Sequence, residues 1–410
     1  MKRMILAFGL VVSTLGFSQH GFINSSDFLD DDIESSFSLN LYGEGFVNSN
    51  SISNSVFNKA FQGQSLEGDL KANIFDRLKE ENRLVADVYG GFNAFYIQED
   101  KNQIFSFGID QRYFVTSKFN DDFAKLMLNG NQPYQNQTLD FGSLGYQQQS
   151  YQTFKLGYVK KLEKIGIAFG ANLGLVRGLS FQSVDVERGE LFTATDGESV
   201  ELDVKARILQ ASQTGGNYGT SADFYIEKYI GDKNKFAFKI NDLGFVKWNN
   251  LTSYSADDSY DFEGIVIEDL FNIDTTAFND LKGKNSAQEI LGLEEDTISV
   301  TQWLPSLLQL DYTHHFSNKF TMAVGVLYQA SLGALPALDV EADYTLPFGL
   351  TLIGELDYGG YGRLNYAVGA KAALLKKKLF ILGKFYVLEN LIAAKGTSGE
   401  GANMYIQYIF

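Results

Sequence analysis

The sequence predicts an all-β protein, a transmembrane antiparallel β-barrel with short helical insertions. Three observations support this fold class. Apolar and polar residues alternate along many segments, an apolar stretch follows two basic residues at the start of the chain, and the last residue is aromatic. Beyond that first stretch the chain has no apolar run of about 20 residues, the length of a helical membrane crossing. A closed barrel is the other structure that satisfies its backbone polar groups in lipid.

The first 19 residues predict a secretory signal peptide. Lys2 and Arg3 precede an apolar stretch over residues 4–17, and a polar, acidic segment follows Gln19. We expect residues 1–19 to be removed on export through the inner membrane. Residues 20–36 then form an acidic N-terminal segment that is a candidate plug, and the barrel occupies residues 37–410.

Alternation with a period of two predicts the strands, because successive side chains of a strand point to opposite faces. In residues 338–346, apolar side chains such as Leu338 and Val340 alternate with acidic ones such as Asp339 and Glu341. Short connections, for example at 347–349 and 375–378, separate several such segments. We predict a barrel of about 14 strands, within a range of about 12 to 16. The candidate segments are 37–47, 66–75, 83–97, 103–117, 150–162, 164–177, 198–211, 219–230, 234–247, 298–316, 319–331, 338–346, 349–359, 363–374, 378–391 and 400–410, of which those near the N-terminus and around 180–211 could instead be loop hairpins.

Two insertions interrupt the strands, at residues 118–149 and 249–297. In the first, Phe119, Phe123, Leu126 and Met127 share one face of a helix that Gly130 could end. The second is acidic, and Ser286 could cap a short helix there. Both predict short helices outside the barrel wall or within its lumen.

The end of the chain predicts an assembly signal. Met404, Ile406, Tyr408 and Phe410 occupy every second position up to the last residue. This pattern resembles the C-terminal strand that the outer-membrane assembly machinery recognises. We therefore expect the cell outer membrane as the location, with membrane lipid and the barrel-assembly machinery as partners. Other envelope proteins are candidate partners as well.

Composition excludes several classes of protein. The 410 residues include 34 Lys and Arg, 50 Asp and Glu and no Cys, and the net charge is −16. The absence of cysteine excludes a disulfide scaffold, an iron–sulfur site and a thiol nucleophile. Phosphate contacts need Lys and Arg, so an acidic chain without basic blocks predicts no nucleic-acid partner.

The segment Ile240–Trp248 carries a resemblance to a known family. Its residues Asp242, Leu243, Gly244 and Trp248 resemble a motif of an uncharacterised Bacteroidota outer-membrane β-barrel family, the domain of unknown function DUF5723, which is similar to fatty-acid-transporter-like barrels. The tripeptide at 177–179 resembles that family as well. The resemblance implies an outer-membrane location and carries over no catalytic residue.

An acidic strip is the main candidate site in the predicted lumen. The strip consists of Asp339, Glu341, Asp343, Glu355 and Asp357, which lie on one face of two neighbouring predicted strands. Rings of carboxylates select cations, so the strip could attract cations or hold a divalent ion. It could equally be a solvated lumen wall whose charge Lys371 and Lys384 balance.

Other motifs predict no chemistry. His314 and His315 are adjacent on a predicted strand, so their rings point to opposite faces and cannot bind one metal together. No G-x-S-x-G segment occurs, and the glycine run at 359–362 is typical of a hairpin turn. We assign no catalytic, cofactor-binding or metal-binding residue, and we expect no cofactor and no enzymatic activity.

Two functions remain open at this point. The first is a channel or transporter for a small or partly hydrophobic solute, with a plug and an apolar internal pocket. The second is an accessory subunit of an outer-membrane machine for secretion, barrel assembly or gliding, with a sealed lumen and a partner surface on the insertions. The analogy with fatty-acid-transporter-like barrels favours the first.

Overall fold

The computed structural model describes residues 36–61, 68–98, 102–195, 199–211, 216–263, 294–386 and 399–410. The predicted signal peptide, the N-terminal segment up to residue 35 and the predicted helix at Ser286 lie outside these residues. The strands are β1 (Ser36–Ser49), β2 (Asn82–Ile97), β3 (Gln103–Phe119), β4 (Thr138–Asp140), β5 (Gly145–Leu162), β6 (Ile167–Thr193), β7 (Ser199–Ala211), β8 (Tyr218–Ile230), β9 (Asn234–Glu263), β10 (Glu294–Trp303), β11 (Ser306–His315), β12 (Phe320–Ala330), β13 (Ala337–Thr345), β14 (Leu350–Gly359), β15 (Leu364–Leu374), β16 (Leu379–Tyr386) and β17 (Gly399–Ile409).

Fourteen of these strands form a closed antiparallel ring, which confirms the predicted fold class and strand number. The ring runs β1-β2-β3-β5-β6-β8-β9-β11-β12-β13-β14-β15-β16-β17 and closes where β17 pairs with β1. Ser38 lies opposite Ile409 at this seam, so the first and last strands complete each other's hydrogen bonds. Closure leaves the ring without a strand edge.

The two ends of the barrel differ. Short turns at 163–166, 231–233, 316–319, 346–349 and 375–378 lie at the end where β1 begins and β17 ends, which we call the turn end. The longer connections lie at the other end, the loop end. Two of the short turns agree with those predicted from the sequence, at 347–349 and 375–378. Short turns at one end and longer loops at the other are typical of membrane barrels.

The outer and inner faces of the wall have opposite character. Large apolar side chains point outward, and Leu156, Leu173 and Leu175 are 66–69% exposed. Polar and charged side chains such as Asp110, Lys155 and Glu355 point inward and are buried. The strands β11 to β16 have 8 to 11 residues each, which is about the length of a tilted bilayer crossing.

The outer parts of β6 and β9, together with β4, β7 and β10, form a sheet that extends the wall beyond the loop end. Strand β6 has 27 residues and β9 has 30, far more than one crossing requires. Their outer parts pair with β7, and β9 also pairs with β10. The predicted insertion at 249–297 therefore contains the outer part of β9 at 249–263 and the start of β10 at 294–297. Polar residues on both faces of this part of β9 conceal the alternation that marks a strand. The segment at 198–211 proves to be the hairpin strand β7, outside the ring.

Three helices lie in the connections at the loop end, namely α1 (Asn54–Phe61), α2 (Asp69–Arg77) and α3 (Asp121–Asn129). The predicted strand at 66–75 is wrong, because Leu70 and Ile74 lie four residues apart on one helical face. Ile74 packs with Val56 of α1 and Leu128 of α3. No helix in the described part of the chain is long and apolar enough to cross a membrane.

Helix α3 agrees with the helix predicted in the first insertion. The side chain of Asn120 caps its first turn by accepting a hydrogen bond from the backbone N–H of Phe123, and Gly130 follows its last residue. Its buried residues are Ala124, Leu126 and Leu128. Leu126, on the predicted apolar face, packs with Leu139, whereas Leu128, on the opposite side of the helix, packs with Ile74. The hydrogen bond from Lys125 to Asp122 raises the pKa of that lysine.

Candidate functional site

A cluster of buried charges fills the lumen near the middle of the long strands. We call it the central cluster and define it as Asp87 of β2, Asp110 and Arg112 of β3, Lys155 of β5, Asp223 of β8 and Asp242 of β9. Each of these residues is at most 8% exposed. Burying an unpaired charge costs several kcal/mol, so such groups need close partners.

Arg112 makes the widest set of contacts in the central cluster. Its guanidinium binds both carboxylate oxygens of Asp87, at 2.9 Å from Nε and 2.6 Å from Nη2. Its Nη1 donates to Asp242 Oδ2 and to the carbonyl oxygen of Pro305, each at 3.1 Å. Its Nη2 lies 3.4 Å from Oε1 of Gln329 on β12. One side chain therefore joins four separate parts of the barrel wall.

Lys155 holds the other carboxylates together. Its Nζ lies 2.9 Å from Asp242 Oδ1, 3.0 Å from Asp223 Oδ2 and 3.3 Å from Asp110 Oδ2. The four carboxylates of the cluster outnumber its two cations, and neutral hydroxyl groups donate further hydrogen bonds to the carboxylates. Tyr42 donates its O–H to Asp110, and Tyr151 donates to Asp242 at 3.4 Å.

The contacts of Arg112 cross the lumen. Strand β3 lies four steps from β9 and six steps from β12 around the ring of 14 strands, where seven steps is diametrically opposite. Side chains from nearly opposite walls therefore meet in direct hydrogen bonds at this level. The central cluster forms a bridge that a solute would have to displace.

Asp242 reaches the lumen because β9 bends there. Its φ is +53°, in the left-handed region that Asp and Asn tolerate better than most residues. Up to Asn241, β9 pairs with β11, and from Phe245 onward it pairs with β10. The Leu304-Pro305 link between those partner strands faces the bend. The backbone N–H of Asp242 donates to Asp223 Oδ1 at 2.8 Å, which fixes the bent backbone.

The rest of the motif that includes Asp242 has a packing role. Leu243 points outward and is exposed. A Cβ on Gly244 would lie 2.1 Å from the carbonyl oxygen of Thr220, so only glycine fits between these strands. Trp248 is fully buried and stacks on Phe181, with ring centroids 5.3 Å apart.

Trp248 also explains the glycine at 177–179. A Cβ on Gly178 would lie 2.7 Å from the indole ring. The indole belongs to a buried apolar cluster with Tyr151, Val176, Phe181, Leu209, Val246, Leu251 and Leu304. The buried side chains of this cluster fill the space around the indole.

A second bridge crosses the lumen closer to the loop end. Tyr361 lies in the turn between β14 and β15, and its hydroxyl donates to the carbonyl oxygen of Leu332 at 2.8 Å. Thr116 of β3 donates to the Tyr361 hydroxyl at 3.0 Å. The same ring packs with Val85 and Phe114. The connections after β12 and β14 thus fold inward onto β3.

The acidic strip lies on the inner wall as three adjacent layers. Asp339 faces Asp357, Glu341 faces Glu355, and Asp343 faces Ile353 across β13 and β14. Asp339, Glu355 and Asp357 are buried. Lys384 of β16 forms ion pairs with Glu341 and with Glu355, the latter at 2.7 Å. Lys371 of β15 lies opposite Thr351 of β14, on the same wall.

The remaining predicted residues lie in the barrel wall. Tyr408 and Phe410 are exposed, and the positions between the four residues of the proposed assembly signal are buried. His314 contacts Asn234, whereas His315 contacts Thr321. The structure therefore brings the two histidines to different partners.

Sequence reasoning missed Asp87, Asp110, Arg112, Lys155 and Asp223. Each of them is a charged residue within a predicted strand, which is a weak signal by itself. Their partners are distant in sequence, with 130 residues between Arg112 and Asp242. The alternation indicated that they face the lumen, but not which of them meet.

Several solved membrane barrels have a similar outline. The toluene transporter TodX of Pseudomonas putida covers 94% of this chain over 91% of its own, with 11% identity and a TM-score of 0.45. For the Ralstonia pickettii toluene transporter TbuX, the alignment covers 92% of this chain and 89% of TbuX, with 12% identity and a TM-score of 0.43. For a FadL homologue of Pseudomonas aeruginosa, the alignment covers 92% of this chain and 89% of the homologue, with 10% identity and a TM-score of 0.42. Identities and TM-scores this low do not identify a solute for this chain.

No curated protein matches the chain. Residues 32–381 match the family of unknown function DUF5723. That match includes the bend at Asp242, the buried Trp248 and both lumen bridges, so the chain belongs to this family.

Proposed function

We propose that the chain is a non-enzymatic channel of the cell outer membrane for a small or partly hydrophobic solute, and that the structure represents its closed state. The outward apolar face supports the location, because an exposed surface of this kind matches lipid rather than water. The observation that carries the proposed activity is the bridge from Arg112 on β3 to Asp242 on β9 and Gln329 on β12.

The chemistry of the bridge favours a gate over a permanent seal. Apolar side chains seal a lumen at least as stably, since replacing buried ion pairs by packed apolar residues is often neutral or stabilising. Charged groups differ from apolar ones in the free energy of the open state, because water that enters the lumen hydrates the charges once they separate. A charged bridge can therefore open at a smaller cost than an apolar one.

The proposal is tested by solute entry into liposomes that contain the purified barrel. Arg112→Met removes the cross-lumen contacts and preserves most of the side-chain volume. We expect faster uptake of small sugars and small aromatic solutes through this variant than through the wild type. Arg188→Met is the matched control, because Arg188 forms its ion pairs with Asp203 and Asp257 on the exposed sheet. Equal uptake by all three proteins, each shown to be folded, would contradict the gate.

A second candidate function, an accessory subunit of an outer-membrane machine, is supported by the bridged lumen, because this function predicts a sealed lumen, and by the sheet beyond the loop end. In the described part of the chain, β10 pairs with β9 alone, so its other edge presents unpaired backbone groups. Such edges pair readily with other chains. Purification from outer membranes in mild detergent, through a tag after residue 19, tests this function. A partner in equal amount, lost when β10 is replaced by a Gly-Ser segment, would support the subunit.

A further inference from the structure

The acidic strip concentrates negative charge on one part of the lumen wall. Within β13 to β16 its five carboxylates share the wall with two ammonium groups, those of Lys371 and Lys384. Lys384 lies against Glu341 and Glu355, and Tyr386 donates its hydroxyl to Glu355 as well. Asp339 and Asp357 form the next layer towards the loop end. Buried carboxylates at this density are costly unless positive charge lies close to them.

Three of these carboxylates are spaced for a single cation. One oxygen from each of Asp339, Glu355 and Asp357 lies within 4.8 Å of the others. Calcium binds carboxylate oxygens at about 2.3–2.6 Å, so two ligands on opposite sides of the ion are about 5 Å apart. An ion between the three carboxylates would therefore reach all of them without any movement of the strands.

A neutral oxygen on the neighbouring strand adds an independent indication. Asn365 of β15 lies directly opposite Asp357 in the strand register, and it is 7% exposed. Its side-chain Oδ1 is buried and accepts no hydrogen bond within the described residues. Asn365 and Asp357 line the same small cavity, of about 10 Å³, together with Asn48 and Glu400. A buried amide oxygen without a donor, beside carboxylates, is typical of a ligand for a hard cation.

We propose that Asp339, Glu355, Asp357 and Asn365 bind one calcium ion in the lumen wall. Calcium fits better than magnesium, because it accepts six to eight oxygen ligands in irregular geometry whereas magnesium requires a near-ideal octahedron. The ion would tie β13, β14 and β15 together at the layer beyond the Lys384 ion pairs. The site goes beyond the proposed channel activity, and its readout is metal binding rather than solute passage.

The test is calcium titration of the purified, EDTA-treated barrel by isothermal calorimetry. We expect one calcium per wild-type barrel, and about tenfold or weaker affinity in Asp357→Asn and Asp339→Asn, because affinity follows the number of charged ligands. Asp311→Asn is the matched control. Asp311 also faces the lumen, on β11, and its carboxylate lies 3.7 Å from Lys239. The control should bind calcium as the wild type does.

Thermal unfolding separates loss of the ligand from loss of the fold. In EDTA, Asp357→Asn should unfold at a higher temperature than the wild type, because it removes one repelling carboxylate. In calcium the order should reverse, since only the intact site gains stability from the bound ion. No calcium-dependent heat or melting shift in the wild type would overturn the site, and so would an equal loss of binding in Asp311→Asn.

Discussion

At the scale of single residues, the central cluster places charge where β9 bends. Asp242 adopts a left-handed φ, accepts from Arg112 and Lys155, and is fixed through its own N–H by Asp223. The bend and the charges therefore depend on each other. The sequence motif predicted that this position matters, but its partners depend on the ring order of strands that are far apart in the chain.

Breaking the bridge at Arg112 should destabilise the barrel. Arg112→Met leaves buried Asp87 without the cation of its ion pair and leaves Asp242 with Lys155 alone, and losing one partner of a buried pair costs about 3–5 kcal/mol. Urea unfolding followed by the gel shift of heated and unheated samples measures this loss. In Arg188→Met the lost ion pairs are exposed to solvent, so the loss of stability should be much smaller than in Arg112→Met. Similar losses in the two variants would contradict the role of burial.

The contact between Gly178 and Trp248 predicts that a smaller side chain at 248 partly compensates for a larger one at 178. Gly178→Ala places a methyl group against the indole, and overpacking of this kind costs about 1–3 kcal/mol. Trp248→Phe makes room but loses packing with Phe181. The double variant should be more stable than the sum of the two losses predicts, because the sites touch. Strict additivity in urea unfolding would contradict the contact.

At the scale of elements, alternation predicted most strands of the ring because lipid on one side and polar groups on the other impose a period of two. It failed where that contrast disappears. The outer part of β9 has polar residues on both faces, so alternation did not identify 249–263 as a strand. The segment at 66–75 is helix α2, whose Ile74 packs on neighbouring helices.

On the outward face of β6, the cost of a charged substitution should depend on its depth in the bilayer. Leu173 is 68% exposed in the middle of the crossing part of β6. Leu173→Arg should destabilise the barrel by about 2–4 kcal/mol in lipid. Ile165→Arg, at the short turn before β6, should cost about 0–1 kcal/mol. Reversible unfolding in phospholipid vesicles measures both, and equal costs would contradict the assigned orientation of the strand in the membrane.

At the scale of the whole molecule, the ring is closed around a lumen that is crossed at two levels. The central cluster joins β3 to β9 and β12, and Tyr361 joins the β14–β15 turn to β3. The sequence predicted a barrel of the observed strand number, but these crossings depend on the curvature of the closed ring. That curvature results from the pairing of all fourteen strands.

The most direct test of the gate is single-channel recording in planar bilayers with Asp242→Asn. Asparagine preserves the size of Asp242 and tolerates its left-handed backbone. The variant removes the charge that Arg112 and Lys155 share and turns one of the two acceptor oxygens into an N–H donor. Asp203→Asn, which removes an exposed carboxylate that pairs with Arg188, is the control. We predict that the wild type and the control remain closed for most of the recording, whereas Asp242→Asn opens more often. A folded Asp242→Asn barrel that stays as closed as the wild type would contradict the account.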